Sequence, residues 1–105
     1  MTGFNLGPRA RLSIELALAA TSGDDHMMRP LEKDARTLGM TGAEIDMARS
    51  GSSFDFQVSK AIALALAPNS ERRTCAMAAG IDAQVCAEIE AIAASHMTRS
   101  GLTSA

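Results

Sequence analysis

The side chains best suited to catalysis or ligand binding in this 105-residue chain lie in one short segment, from Gly23 to Leu31. Two carboxylates, Asp24 and Asp25, precede His26, whose imidazole is the side chain best suited to act as a general acid or base near neutral pH. Arg29 follows one helical turn later. The segment could therefore bind a polar ligand or transfer protons. The competing interpretation is a capped helix start with an exposed histidine.

Metal binding is a further chemistry that these residue types allow. Asp24, Asp25 and His26 are ligands for divalent cations, and His96 could join them from a distant part of the chain. Consecutive side chains diverge around a helix axis, however, so they rarely converge on one ion. Helix capping and solvation explain the carboxylates better, and we expect neither a metal nor a cofactor.

Glu15 lies within the otherwise apolar run from Arg11 to Ala20. A carboxylate buried in such a helix is a recognised mark of functional sites, because burial alters its proton affinity. The alternative is an exposed ion pair with Arg11, four residues earlier on the same helix face. Should Glu15 point inward, we expect its partners to be the side chains at 24–27.

The two cysteines, Cys75 and Cys86, have no adjacent histidine and no Cys-x-x-Cys spacing. We expect both to be reduced, buried and small apolar side chains of a cytoplasmic protein. The methionines form no metal-binding run and are typical of adaptable packing.

Composition limits the remaining function classes. A net charge of −2 without a basic, aromatic-rich cluster argues against nucleic-acid binding. The apolar run near residues 11–20 is too short to span a bilayer and is interrupted by Glu15, so no membrane association is expected. With three Phe and no Trp or Tyr, the core must consist of small and aliphatic side chains. Such a thin core is often completed by subunit contacts.

Apolar spacing and capping residues predict an all-α fold of about six helices, with no run that alternates as a strand would. A lead-in arm over 1–7 precedes one domain over 8–102 and a tail over 103–105. The predicted helices are Pro8 to Gly23, Asp24 or Asp25 to about Leu38, Thr41 to Gly51, Ser53 or Asp55 to Pro68, Asn69 or Ser70 to Ala79, and Ala83 to about Arg99.

Each long helix has a predicted buried stripe. The first contains Leu12, Leu16, Ala19 and Ala20, flanked by Ile14 and Leu18; the fourth contains Phe54, Val58, Ile62 and Leu66; the last contains Val85, Ile89, Ile92 and Met97. Two segments also resemble each other, Ala35-x-x-Leu38-Gly39-Met40-Thr41 and Ala76-x-x-Ala79-Gly80-Ile81-Asp82. This similarity, which we call the sequence echo, reflects either the residues that ordinarily end one helix and begin the next or a duplicated helix pair.

Taken together, these segments resemble the alkylhydroperoxidase/carboxymuconolactone decarboxylase family of small all-α oligomers. The resemblance covers roughly residues 9–102. It rests on the helix ending at Gly23, the helix over 26–38, and the patterns Leu38-Gly39-Met40-Thr41-x-x-Glu44-Ile45, Ala61-Ile62-Ala63-Leu64-Ala65, Ala78-Ala79-Gly80-Ile81-Asp82-Ala83-x-Val85 and Ile89-x-x-Ile92. It implies a homo-oligomer, a trimer or a hexamer.

Peroxidases of that family carry Gly-Cys-x-x-Cys-x-x-x-His at the start of the second helix. In this chain the corresponding positions hold Asp24, Met27 and Leu31. Neither Asp nor Met can form the thiolate that peroxide reduction requires. The family's upstream glutamate position falls near Leu12, and Glu15 lies one turn later. Thiol peroxidase activity is therefore not expected.

Three functions remain open at this stage. The first is a redox-inactive family member that acts as a small-molecule-binding or structural oligomer, with a small organic acid as its ligand. Its expected pocket residues are Asp24, Asp25, Met27, Arg29 and His96. The second is a cysteine-independent decarboxylase or isomerase that uses Glu15 and His26 for proton transfer. A third possibility is a subunit of a larger complex that makes contact through the arm over 1–7.

Overall fold

The computed structural model describes the backbone of residues 6–99 and the side chains of residues 6–96. This part of the chain forms six helices and contains no strand, so the all-α prediction is confirmed. The helices are α1 (Pro8–Ser22), α2 (Asp25–Thr37), α3 (Gly42–Arg49), α4 (Phe56–Leu66), α5 (Ser70–Ala78) and α6 (Ala83–Arg99).

The first helix, α1, is the central element of the fold and packs against α2, α3, α4 and α6. Ile14 and Leu16 have no exposed surface, and burial of each such side chain contributes roughly 1.5–3 kcal/mol. The predicted buried stripe of Leu12, Leu16 and Ala19 is confirmed, but α1 also buries its opposite side, so that Ile14 and Leu18, predicted to flank the stripe, lie in a second apolar cluster. One side consists of Ile14, Ala17 and Leu18 and packs with α4 and α6; the other consists of Leu12, Leu16 and Ala19 and packs with α2 and α3.

The junction between α1 and α2 follows the capping residues predicted from sequence. Gly23 adopts a left-handed conformation with φ of 70° and ends α1, as a residue without Cβ can at little cost. Asp24 caps α2 by accepting a hydrogen bond from the Met27 N–H at 3.1 Å. Pro30 lies inside α2, which begins only shortly before it, so few intrahelical hydrogen bonds are affected.

A capping box opens α3. The Glu44 N–H donates to the Thr41 hydroxyl at 3.1 Å, and the Thr41 N–H donates back to Glu44 Oε1 at 2.8 Å. The reciprocal bonds satisfy two amide groups that the helix itself leaves unpaired, and they confirm the predicted helix start at Thr41.

The sequence echo corresponds to two turns with the same backbone geometry. The Met40 N–H donates to the Ala35 carbonyl at 3.0 Å, and the Ile81 N–H donates to the Ala76 carbonyl at 3.1 Å. The residue before each is a glycine of positive φ. The same ending follows α1 and α3, where Asp24 and Ser52 take the place of Met40. The echo is therefore a recurring way of ending a helix.

Two predictions about the second half of the chain are wrong. Phe54 precedes the N-cap of α4, Asp55, and is 69% exposed, because the helix begins only at Phe56. Cys75 is also exposed on α5, whereas Cys86 is fully buried on α6. Of the other predicted stripe residues, Ala20, Leu66 and Val85 are only partly buried, and the Met97 side chain lies outside the described residues.

Candidate functional site

The predicted site at 24–29 is the exposed start of α2. Asp24 is occupied as the N-cap, and Asp25, His26 and Arg29 are exposed. Met27 is half-buried against the apolar cluster beneath α2. Arg29 lines a shallow groove of charged side chains that belongs to α2 alone. None of these residues lines the cavity that contains His96, which is described below.

Glu15 is turned toward α6. Its side chain is 20% exposed and lies 3.8 Å from the Arg11 guanidinium, the i,i+4 ion pair that the sequence offered as an alternative. It lines a groove of about 260 Å³ together with Arg11, Glu88 and Ser95. Glu15 therefore lies in a groove with residues of α6, whereas His26 lies at the exposed start of α2.

A larger cavity, of about 500 Å³, lies where the C-terminal ends of α1 and α4 meet the C-terminal half of α6. We call it the His96 cavity. Its wall is mainly aliphatic and is formed by Leu18 and Ser22 of α1, Ala65 and Leu66 of α4, and Glu90, Ala93 and His96 of α6. A concave apolar surface with a few convergent polar groups is the usual form of a small-molecule site.

The main polar feature of the His96 cavity is a side-chain pair. His96 is only 4% exposed, and its Nε2 lies 3.1 Å from the Ser22 hydroxyl. The same hydroxyl lies 3.0 Å from the Leu18 carbonyl and 3.3 Å from the Ala19 carbonyl. Ser22 therefore either donates to His96 or accepts from it while donating to its own helix, and the imidazole tautomer decides between the two.

The second polar group in the wall, Glu90, is held by Arg73 of α5. Two parallel hydrogen bonds join them, Arg73 Nε to Glu90 Oε2 at 3.2 Å and Arg73 Nη2 to Glu90 Oε1 at 3.0 Å. This contact raises the pKa of the Arg73 guanidinium, chiefly through the side-chain hydrogen bond to Glu90. Because the carboxylate is paired outside the cavity, the wall presents little net charge to a ligand.

The thiols do not contribute an oxidisable pair. Cys86 is fully buried, and desolvation raises the pKa of its thiol, so the reactive thiolate is disfavoured. Cys75 is a free thiol on the surface of another helix. Within residues 6–96, no group of three or more His, Cys, Asp or Glu side chains could hold a metal ion.

Of the residues that line this cavity, the sequence predicts only His96 as a pocket residue. It predicts Leu18 and Leu66 as parts of buried helix faces, because nothing in a single sequence indicates that these three helices converge. The available signal was a histidine at an otherwise apolar position of the last helix, near Ile92 and Ala93.

Comparison with protein-family models, curated proteins and solved structures found no match to this chain. The resemblance to the alkylhydroperoxidase/carboxymuconolactone decarboxylase family stays a prediction from the sequence. In the part of the chain that the structure describes, no helix combines the length and the apolar composition needed to cross a membrane.

Proposed function

We propose that this protein is a non-peroxidase, small-molecule-binding homo-oligomer, a divergent relative of the alkylhydroperoxidase/carboxymuconolactone decarboxylase family. The His96 cavity is its binding site, and the ligand is a small organic acid with an apolar body. The observation that carries this proposal is the pairing of a buried histidine with Ser22 in a mainly aliphatic wall.

The cavity suits a ligand with one polar end. The aliphatic side chains of Leu18, Leu66 and Ala93 offer burial to the body, at about 0.8 kcal/mol for each methylene removed from water. When the Ser22 hydroxyl donates to His96 Nε2, the imidazole proton lies on Nδ1, which can then donate to a carboxylate. Glu90 opposes an anion less than a free carboxylate would, because Arg73 compensates its charge.

The absence of thiol chemistry is the second part of the proposal. Asp24 and Met27 occupy the positions that the resemblance assigns to the redox cysteines. The remaining thiols lie on other helices, and one of them is buried. Free thiols also support the proposed cytoplasmic location.

The chain contains two histidines, which makes the proposal directly testable by NMR. Imidazole resonances are recorded during titration with benzoate, phenylacetate and hexanoate, and with benzylamine as the cationic counterpart. We expect the acids to shift the His96 resonances while those of exposed His26 stay in place. Equal shifts for both histidines, or none for His96, would contradict the proposal.

Two variants separate ligand binding from general effects. His96→Gln should weaken acid binding by at least about tenfold, the value of one good hydrogen bond to a charged group. His26→Gln is the matched control and should leave the affinity unchanged. Ala93→Leu should weaken binding by filling the cavity, with thermal unfolding used to verify that the variant is folded.

The alternative function is a cysteine-independent decarboxylase or isomerase using Glu15 and His26. Its support is confined to Glu15, a half-buried carboxylate in a groove that also contains Glu88, whereas the exposed His26 does not line this groove. This function requires a pH-dependent turnover that Glu15→Gln abolishes with the fold retained. Turnover of a cyclic lactone acid that survives this substitution would exclude Glu15 as the proton-transfer residue.

A further inference from the structure

The Ser22–His96 pair has the spacing of a nucleophile and its general base. The Ser22 hydroxyl oxygen of α1 lies 3.1 Å from Nε2 of His96 on α6. A base within this distance can take the hydroxyl proton while the oxygen attacks a substrate. A serine–histidine contact can also be purely structural, because buried polar groups need hydrogen-bond partners. The exposure, hydrogen bonds and charges around the pair decide between the two roles.

The two members of the pair differ in exposure as these roles require. His96 is only 4% exposed, so packing holds its imidazole in one place. Ser22 is the last residue of α1, is exposed, and lines the His96 cavity. A nucleophile must be reached by its substrate, whereas a base acts best from a fixed position. The pair therefore combines an accessible hydroxyl with a fixed imidazole.

The Ser22 proton can reach the base without movement of any heavier atom. The hydroxyl has three acceptors within reach: the Leu18 carbonyl at 3.0 Å, the Ala19 carbonyl at 3.3 Å and His96 Nε2 at 3.1 Å. Rotation about the Cβ–Oγ bond moves the proton from a carbonyl to the imidazole. The imidazole tautomer with its proton on Nδ1 leaves Nε2 free to accept it.

The charges around the pair favour the proton transfer. Ser22 ends α1, and the partial negative charge at this end of the helix favours the imidazolium that forms when His96 takes the proton. The same charge opposes a substrate oxyanion, which the hydroxyl of Thr21, in the same cavity wall, can offset by donating a hydrogen bond. Within residues 6–96, no carboxylate is hydrogen-bonded to His96, so the pair lacks the third member of a triad. We therefore expect slow turnover.

We infer that Ser22 and His96 form a catalytic dyad that hydrolyses esters of small apolar acids. The inference rests on the proposed function, because the acid that the cavity binds is the acid that this reaction releases. The aliphatic wall, which includes Leu18, Leu66 and Ala93, receives the acyl group of the ester. The cavity volume of about 500 Å³ limits the acyl group to a small one.

The reaction has two steps. In the first, Ser22 Oγ bonds to the ester carbonyl carbon and His96 Nε2 takes the hydroxyl proton. The bond from that carbon to the alcohol oxygen breaks, and the alcohol leaves with the proton. In the second, water attacks the acyl carbon, His96 takes a proton from the water, and this proton returns to Ser22 Oγ as the acid leaves. One ester and one water give one acid and one alcohol, so no oxidant or reductant is needed.

Ester hydrolysis by the full chain tests the inference. The substrates are p-nitrophenyl hexanoate and p-nitrophenyl acetate, and the release of p-nitrophenol is followed by absorbance. The exposed Cys75 thiol also reacts with activated esters, so the measurements are made in the Cys75→Ser variant. We expect kcat/KM to be at least about tenfold higher for the hexanoate, because each methylene buried in an apolar wall contributes up to about fourfold.

Substitutions separate the dyad from unspecific acylation. Ser22→Ala should abolish hydrolysis, and His96→Gln should lower kcat/KM at least about 100-fold, which is the contribution of a general base. Ser50→Ala is the matched control, because the exposed Ser50 hydroxyl also donates to a carbonyl of its own helix but does not line the cavity. It should change kcat/KM by less than about twofold. Thermal unfolding verifies that each variant is folded.

Covalent labelling locates the nucleophile without any substitution in the dyad. An alkyl fluorophosphonate, which forms a stable adduct with an activated serine, should modify Ser22, as read by mass spectrometry of the peptides. An adduct elsewhere only, no ester hydrolysis, or hydrolysis that survives Ser22→Ala or His96→Gln would overturn the inference. If organic acids still shift the His96 resonances, only the dyad fails and the ligand site stands. If they do not, the proposed function fails as well.

Discussion

The Ser22 hydroxyl at the end of α1 lies 3.1 Å from Nε2 of His96, near the end of the described part of α6. The two residues are 74 positions apart, and their contact ties the central helix to the last one. It also places a hydrogen-bonding imidazole in the wall of an aliphatic cavity.

Ser22→Ala is expected to destabilise the protein by about 1–3 kcal/mol, because it removes a hydrogen-bond partner of a buried imidazole. Chemical denaturation measures the free energy of unfolding. Ser50→Ala is the matched control, because the exposed Ser50 hydroxyl likewise donates to a carbonyl of its own helix, that of Met47 at 2.8 Å. Its effect should stay within about 0.5 kcal/mol. Equal effects of the two substitutions would show that the Ser22–His96 contact adds no stability.

Two glycine substitutions should have opposite effects. Gly80 has φ of 102°, and a Cβ there would lie 2.7 Å from Gln57 Nε2, so Gly80→Ala should destabilise by about 1–3 kcal/mol. Gly42 begins α3 and has open space around it, so Gly42→Ala should be neutral or stabilise by up to about 1 kcal/mol. Thermal unfolding of both variants measures the difference, and a stabilising Gly80→Ala would contradict the turn geometry.

Because of the capping box, the stability of the protein should vary with pH in the acidic range. The Thr41 N–H hydrogen bond, aided by Arg9, lowers the pKa of Glu44. A carboxyl whose pKa is lowered by folding stabilises the protein above its unfolded pKa of about 4.3, and this contribution is lost as pH falls through the folded pKa. We expect Glu44→Gln to lose this stabilisation. The free energy of unfolding of this variant should therefore change less steeply with pH below about 4.3.

Glu71→Gln is the control for this pH experiment, because Glu71 is an exposed carboxylate in the first turn of α5. Denaturation midpoints between about pH 2.5 and 6 should respond less to this substitution than to Glu44→Gln. A steeper acid dependence in Glu44→Gln would have the wrong sign for a lowered pKa.

The two thiols should differ in reactivity. Cys75 is exposed, whereas Cys86 is fully buried and desolvation raises the pKa of its thiol, so a disulfide reagent should modify Cys75 at least about tenfold faster. Cys75→Ser should remove the fast phase and leave the slow one. The native protein should not turn over peroxide with a thiol reductant. A fast phase that persists in Cys75→Ser would contradict the burial of Cys86.

Much of the helical architecture is encoded locally. Gly23, Asp24, Thr41 and Glu44 mark helix ends through backbone conformation and hydrogen bonds that involve only near neighbours. Such signals can be recognised in a single sequence. The sequence likewise shows that positions 24 and 27, where the family resemblance would place the redox thiols, hold Asp and Met, and the lack of peroxidase chemistry stays a prediction from that resemblance.

Side-chain partners were decided by tertiary packing. Periodicity gave α1 one buried face, but the helix lies between two layers and buries two. The placement of Glu15 beside Glu88, the exposure of Phe54 and Cys75, and the pairing of Ser22 with His96 depend on how distant helices cross. Local propensity is insensitive to such crossings, because they result from apolar burial summed over residues far apart in the chain. The helices can therefore be predicted from the sequence. The cavity around His96 cannot, because it forms only where the ends of α1 and α4 meet the C-terminal half of α6.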